Sequence, residues 1–273
     1  MAENIIISPS ILGYEYELIL HISDIESMVK AGINDIHVDV MRKSFIQGRD
    51  AFSEEAMALL YDQFKGKNFD FHLMVDNPDP VIEFISGRIP EDKRQNTTIT
   101  IHSESYRRIN PDGMDKILFD YTSKKFDLSD VSFYPTVRQD SLSAIHTESQ
   151  ERVYATLLNL KESGYKVGFA LEPGTSLGNI TDEMIDVMDM LLLMSVESGA
   201  GGQGYNHDVT DKIKMAREKY GNLMIQVDGG IKDVTLQEAT LAGATNLVIG
   251  SYITGADNLK ERISYIQQSI KDV

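Results

Sequence analysis

The sequence predicts an α/β protein, a single (β/α)8 TIM barrel over residues 1–273 with an insertion after the fourth strand. Three observations predict it. Eight short runs are apolar or β-branched nearly throughout, as strands buried on both faces should be. Segments with helical spacing alternate with these runs. No Gly-x-Gly-x-x-Gly follows the first run, which argues against a doubly wound open sheet.

In chain order, strands are expected at 5–11, 35–40, 69–75, 97–103, 166–172, 190–196, 223–229 and 246–252. Helical spacing covers 17–31, 54–64, 150–163, 181–187, 210–220, 234–242 and 258–270. Leu18, His21, Ile22, Ile25, Met28 and Val29 form the stripe of the first helix. Every strand except the fourth is read as followed by a helix. Gly32, Gly164, Gly221 and Gly243 each come just after a helical stretch, where a helix C-terminus wants a residue with positive φ. The interval 104–150 breaks the rhythm. It carries polar turns and one apolar patch, VSFYPTV, with a local helix expected at 112–121 and a short extended piece at 130–137. A connection that long is read as an insertion placed over the barrel mouth or against a second subunit.

Composition narrows the function classes. The chain has 273 residues and no cysteine, so disulfides and thiolate metal sites are excluded. A net charge of −16 argues against non-specific nucleic-acid binding. The apolar part of MAENIIISPS is too short for a signal peptide, and no apolar run is long enough to span a membrane. A cytoplasmic location is therefore expected, with no membrane and no nucleic-acid partner. An anionic substrate would need a local device rather than global steering.

The chemistry centres on DIHVDVMRK, residues 35–43. His37 and Asp39 are two apart in a strand and share a face. An imidazole beside a carboxylate suits a divalent ion. His72 in FDFHLMV and Asp228 in LMIQVDGG are the candidate partners. All four sit toward strand C-terminal ends, where barrels of this kind carry their sites. A second constellation is glycine-rich: GAGGQG after strand six, DGG at the end of strand seven and IGSY in strand eight. Backbone N–H groups there would cradle a phosphate. Two carboxylates beside a metal could remove a proton from one face of a carbon and return one to the other. Metal-assisted hydrolysis is the alternative use of the same groups.

The sequence resembles the ribulose-phosphate 3-epimerase family over nearly the whole chain apart from the insertion. The matching stretches are ISPSIL, AGINDIHVDVM, FHLMVDNP, KVGFALEPGTSL, LLLMSVESGAGGQ, IQVDGGI and AGATNLVIGSYI. The resemblance implies a ribulose-phosphate-binding barrel holding one divalent ion, zinc, iron or manganese, on His37, Asp39, His72 and Asp228. It makes Asp39 and Asp228 the acid/base pair of an enediolate mechanism. Ser10 and His72 would contact the sugar. Met41, Met74 and Met194 would lie near the enediolate, with plain core packing as the bland reading of those methionines. Gly199, Gly201, Gly202, Gly229, Gly230, Gly250 and Ser251 would hold the phosphate.

Departures from the family pattern bear on the substrate. Arg42 and Lys43 replace an aspartate and a glycine after strand two. Arg42 is expected either to reach an anionic substrate or, preferably, to pair with an acidic neighbour. Ser198, Gly199 and Ala200 replace a proline-glycine-phenylalanine, so a lid there is expected to close less tightly. Glu172 stands where many members carry asparagine or lysine. The expected activity is interconversion of D-ribulose 5-phosphate and D-xylulose 5-phosphate in carbohydrate metabolism, by a homo-oligomer. The alternatives are a 3-epimerase of a hexulose phosphate such as D-allulose 6-phosphate and a non-catalytic sugar-phosphate-binding paralogue.

Overall fold

A computed structural model describes residues 5–106, 139–199 and 201–271, with 139–148 described by backbone alone. The strands are β1 (Ile6–Pro9), β2 (Asp35–Met41), β3 (Asn68–Met74), β4 (Thr97–His102), β5 (Lys166–Leu171), β6 (Met190–Met194), β7 (Met224–Asp228) and β8 (Asn246–Ile249). Each pairs in parallel with its sequence neighbour, and β1 pairs with β8. The last seam, β1 to β2, closes through one parallel bridge between Ser10 and His37, with the Ile11 N–H donating to the His37 carbonyl at 3.2 Å. The expected barrel is therefore present.

The α-helices among the described residues are α1 (Ile22–Lys30), α2 (Glu54–Gln63), α3 (Asp79–Arg88), α4 (Gln139–Glu162), α5 (Asp182–Val187), α6 (Asp208–Tyr220), α7 (Asp233–Ala242), α8 (Ser251–Thr254) and α9 (Leu259–Lys271). None is long and apolar enough to cross a membrane. Four differences from the sequence reading exceed two residues. The first helix starts at Ile22; a 3-10 segment, Leu12–His21, precedes it and breaks at Glu17, where φ is −131°. The helix between β3 and β4, which spacing did not delimit, starts at Asp79 with Pro80 in its first turn. Strand β8 ends at Ile249, because Gly250 turns the chain into α8. The helix after the long interval starts at Gln139, so that interval is shorter than 104–150. The helix and extended piece expected at 112–121 and 130–137 lie outside the described residues.

Period-two alternation sorts each strand into two faces. Ile36, Val38 and Val40 of β2, Phe69, Phe71 and Leu73 of β3, and Ile99 and Ile101 of β4 pack outward. They join one core with helix residues such as Ile25, Met28, Leu60 and Ile85. A second, smaller cluster of Ala170, Leu192, Met194 and Val196 lies on β5, on β6 and just past the end of β6. Most inward positions of β2, β3, β4 and β7 are polar: His37, Asp39, Asp70, His72, Thr100, His102, Gln226 and Asp228. Barrel interiors are ordinarily filled by layers of branched apolar side chains. A buried polar half-interior costs stability unless its members bond one another.

Candidate active site and metal centre

His37, Asp39, His72 and Asp228 come together. One ligand atom from each lies within 4.8 Å of the others. Pairing of β2 with β3 sets Asp39 directly beside His72, which brings their side chains to 3.1 Å. Strand β7 brings Asp228 from across the barrel, 3.8 Å from both His37 Nε2 and His72 Nδ1.

The groups behind the cluster decide which atoms face it. His37 Nδ1 meets Asp70 Oδ2 at 2.8 Å, which turns Nε2 toward Asp39 at 3.2 Å. Asp70 is itself held by Thr100 at 2.9 Å and Gln226 at 2.8 Å. Ser10 Oγ donates to Asp39 Oδ2 at 2.6 Å, leaving Oδ1 for the cluster. His72 Nε2 meets His102 Nε2 at 2.7 Å, leaving Nδ1 for the cluster. Two imidazoles with their outer nitrogens engaged and two carboxylates aimed at one point fit a divalent ion such as zinc or iron.

Electrostatics separate the two carboxylates. Burial favours protonating Asp39, but His37 and His72 outweigh it and hold Asp39 well below the usual carboxylate range. Asp228 goes the other way. Burial, followed by the charge of Asp39, pushes it up to about 7. Burial opposes charge on His37, yet Asp39 and Asp70 hold it well above its ordinary value. Ligation needs the neutral ring, so binding an ion would release that proton. Burial moves His72 down.

A cavity of about 500 Å³ opens at the C-terminal ends of the strands. Asp39 and Asp228 reach it from below, and Ser10 lies on its wall. Met41, Met74 and Met194 line it, as do Gly199, Gly201 and Gly202 of the loop after β6. Gly229, Gly230, Gly250 and Ser251 complete that side. His37 and His72 lie beneath, fully buried. Arg42 does not line the cavity; its guanidinium pairs with Glu54 at 2.8 Å and caps the carbonyls of Met41, Ala51 and Phe52. Of its two readings, the acidic neighbour holds. Lys43 is exposed. Glu172 is buried, with its carboxylate on the Ser198 N–H at 3.2 Å.

Sequence reading missed Asp70, Thr100, His102, Glu104 and Arg49. The first three share the signal that singled out His37 and Asp39, since they lie two residues apart on the inward faces of β3 and β4. Arg49 carries no such signal. It lines the cavity, donating to Glu15 at 2.7 Å and to the Gly199 carbonyl at 2.5 Å, so it ties the loops after β1, β2 and β6.

A family model described as the ribulose-phosphate 3 epimerase family matches residues 6–115 and 131–254. The chain belongs to this family. The break between the two matched stretches falls inside the interval read as an insertion. A ribulose-phosphate 3-epimerase from Synechocystis sp. is 27% identical over 98% of this chain and 96% of its own length. One from Bacillus subtilis is 38% identical over 46% of this chain, and one from Buchnera aphidicola 37% over 47%. Those two matches span 60% and 58% of the relatives' own lengths. Among solved structures, 3-hexulose-6-phosphate synthase from Salmonella typhimurium aligns with a TM-score of 0.55 at 13% identity, over 97% of this chain and 98% of that one. KGPDC from Streptococcus mutans gives 0.56 at 11%, over 99% of each chain. At these identities the likeness concerns the barrel alone.

Proposed function

We propose that the protein is a metal-dependent 3-epimerase that interconverts D-ribulose 5-phosphate and D-xylulose 5-phosphate. The observation that carries this reading is the pair Asp39 and Asp228. They rise from β2 and β7, strands on separate sides of the barrel, into one cavity. An ionised carboxylate can accept a proton from C3 while a protonated one opposite supplies another. The reverse reaction exchanges their roles. His37, Asp39, His72 and Asp228 would hold the ion, which supplies polarisation of the ketose oxygens when bound. Ser10 orients Asp39 through its 2.6 Å bond. Met41, Met74 and Met194 place a polarisable apolar surface around the reacting carbons and limit water there. The glycines of the loops after β6 and β7, with Gly250 and Ser251, offer backbone N–H groups to the phosphate.

A six-carbon ketose phosphate is the second reading, because a cavity of about 500 Å³ has room for one further carbon. The test is turnover of metal-loaded protein with D-ribulose 5-phosphate and with D-allulose 6-phosphate in deuterated water, followed at C3 by NMR. Conversion of the pentulose with deuterium uptake at C3 is expected. Asp228→Asn should abolish epimerisation, a loss of at least about a hundredfold for a missing acid/base group, with the fold intact. Turnover of the hexulose alone would select the second reading. A metal-bearing protein that exchanges C3 in neither sugar would overturn the epimerase assignment.

A further inference from the structure

Behind His72 lies a chain of buried groups that neither the ligand quartet nor the acid/base pair uses. His72 points Nδ1 at the cluster and Nε2 at His102 Nε2, 2.7 Å away. Both rings are fully buried, with centroids 4.9 Å apart and planes 19° apart. The facing nitrogens are closer together than the centroids, so they lie between the two rings. The contact is thus an edge-to-edge N–H···N hydrogen bond rather than a face stack. On its far side, His102 Nδ1 faces Glu104 Oε2 at 3.3 Å and Glu172 Oε1 at 3.5 Å. Glu104 is braced by the Thr175 hydroxyl, and Glu172 by the hydroxyl and N–H of Ser198. Phe45 closes over the His102 ring, 5.2 Å between centroids.

Proton counting leaves one arrangement for this chain when an ion is held. A ligating Nδ1 must present a lone pair, so the His72 proton sits on Nε2. That N–H must find an acceptor, which requires His102 Nε2 to be bare. A neutral His102 then carries its proton on Nδ1, where the facing atoms are carboxylate oxygens that accept it. We propose that His102, held by Glu104 and Glu172, is the positioning residue that fixes Nδ1 of His72 as the ligating nitrogen. It does for His72 what Asp70 does for His37. The inference rests on the metal reading above and goes beyond it by naming the groups that set its ligand geometry. It also gives a use to two departures from the family pattern, since Glu172 and Ser198 are the two ends of one contact on this chain.

The experiment uses zinc as probe on the full chain and on two variants. His102→Leu keeps bulk but removes the acceptor; His102→Gln keeps a carbonyl that can accept from His72. Zinc affinity is measured by competition with a chromogenic chelator. The leucine variant should bind about 10–100-fold more weakly, the usual cost of losing such an outer partner, and the glutamine variant within a few-fold of wild type. In zinc-loaded wild type, nitrogen-15 NMR should find His102 neutral with its proton on Nδ1. Equal affinity in all three proteins, equal weakening in both variants, or a His102 proton on Nε2 would overturn the proposal. The NMR result stands on wild type, so a variant that fails to fold does not shelter it. A wild-type protein that takes up no zinc or other divalent ion overturns the metal reading as well, and that outcome is separate from wild type binding zinc while both variants are indifferent.

Discussion

At the residue scale, the candidate site is a set of side chains whose free atoms are decided by what occupies their other atoms. Gly168 shows how far this reaches. A Cβ there would lie 2.1 Å from Thr100 Oγ1 and 3.1 Å from the Thr100 Cα. Thr100 holds Asp70, and Asp70 holds His37. Gly168→Ala should therefore cost about 1–3 kcal/mol through overpacking, and should weaken metal uptake although residue 168 touches no ligand. Thermal melts with and without zinc check both effects; an unchanged melt would mean that the interior yields there. Glu172 supplies a pH dependence. Burial is the largest cause raising it from 4.5 to about 7; His102 lowers it and Glu104 raises it further. Because the folded-state value is the higher one, the folded protein binds the proton more tightly than the unfolded chain between those two values. Stability is then lost as pH rises from about 4.5 toward 7, by on the order of 3 kcal/mol at about 1.4 kcal/mol for each tenfold change in proton affinity. Glu172→Gln, neutral throughout, should flatten that slope in a series of melts. A slope as steep as wild type would assign the titration elsewhere.

At the scale of elements, loops from adjacent and from opposite strands dock on one another and shape the cavity. Gly230, at φ +62°, lets the loop after β7 pass against the loop after β6. A Cβ on it would meet the Tyr205 backbone nitrogen at 2.4 Å. Gly199, at φ +120°, does the same beneath Ile46 of the loop after β2. Gly230→Ala must push apart two backbone segments, neither of which is a flexible side-chain end. Strain of about 1–3 kcal/mol at such a position should appear as a rise of roughly tenfold or more in KM, with kcat less affected, because the displaced groups are those proposed for the phosphate. A kinetic comparison of the variant with wild type checks it, and a variant that loses kcat alone would place Gly230 with the chemistry instead. The strands themselves were legible from near-continuous apolar runs, since outward and inward faces are both covered. The end of β8 was not. IGSY reads as more strand, yet Gly250 turns the chain and Ser251 opens a helix.

At the scale of the molecule, we propose that residues 1–273 behave as one domain, since the first strand pairs with both the last and the second. Barrel closure couples the two ends of the chain, so unfolding should be a single calorimetric transition; two separated transitions would overturn the one-domain reading. Removing metal should lower its midpoint. An ion present at a thousand times its dissociation constant contributes about 4 kcal/mol. Melts with and without a chelator test this, and coincident curves on protein known to carry metal would place the ion outside the folded site.

The sequence by itself determined the barrel and singled out the four residues that converge and the glycines that line the cavity, because each is written in local terms: apolar runs, a period of two, residues at strand ends. Only the tertiary structure decided what stands behind those residues. Gly168 makes room for Thr100, Glu104 and Glu172 meet on His102, and Arg49 rather than Arg42 reaches the cavity. These partners lie on different strands and loops, and their meeting depends on parallel register and loop docking that no short stretch encodes. The interior pays for its polar residues through bonds between strands, and those bonds exist only once the barrel has closed.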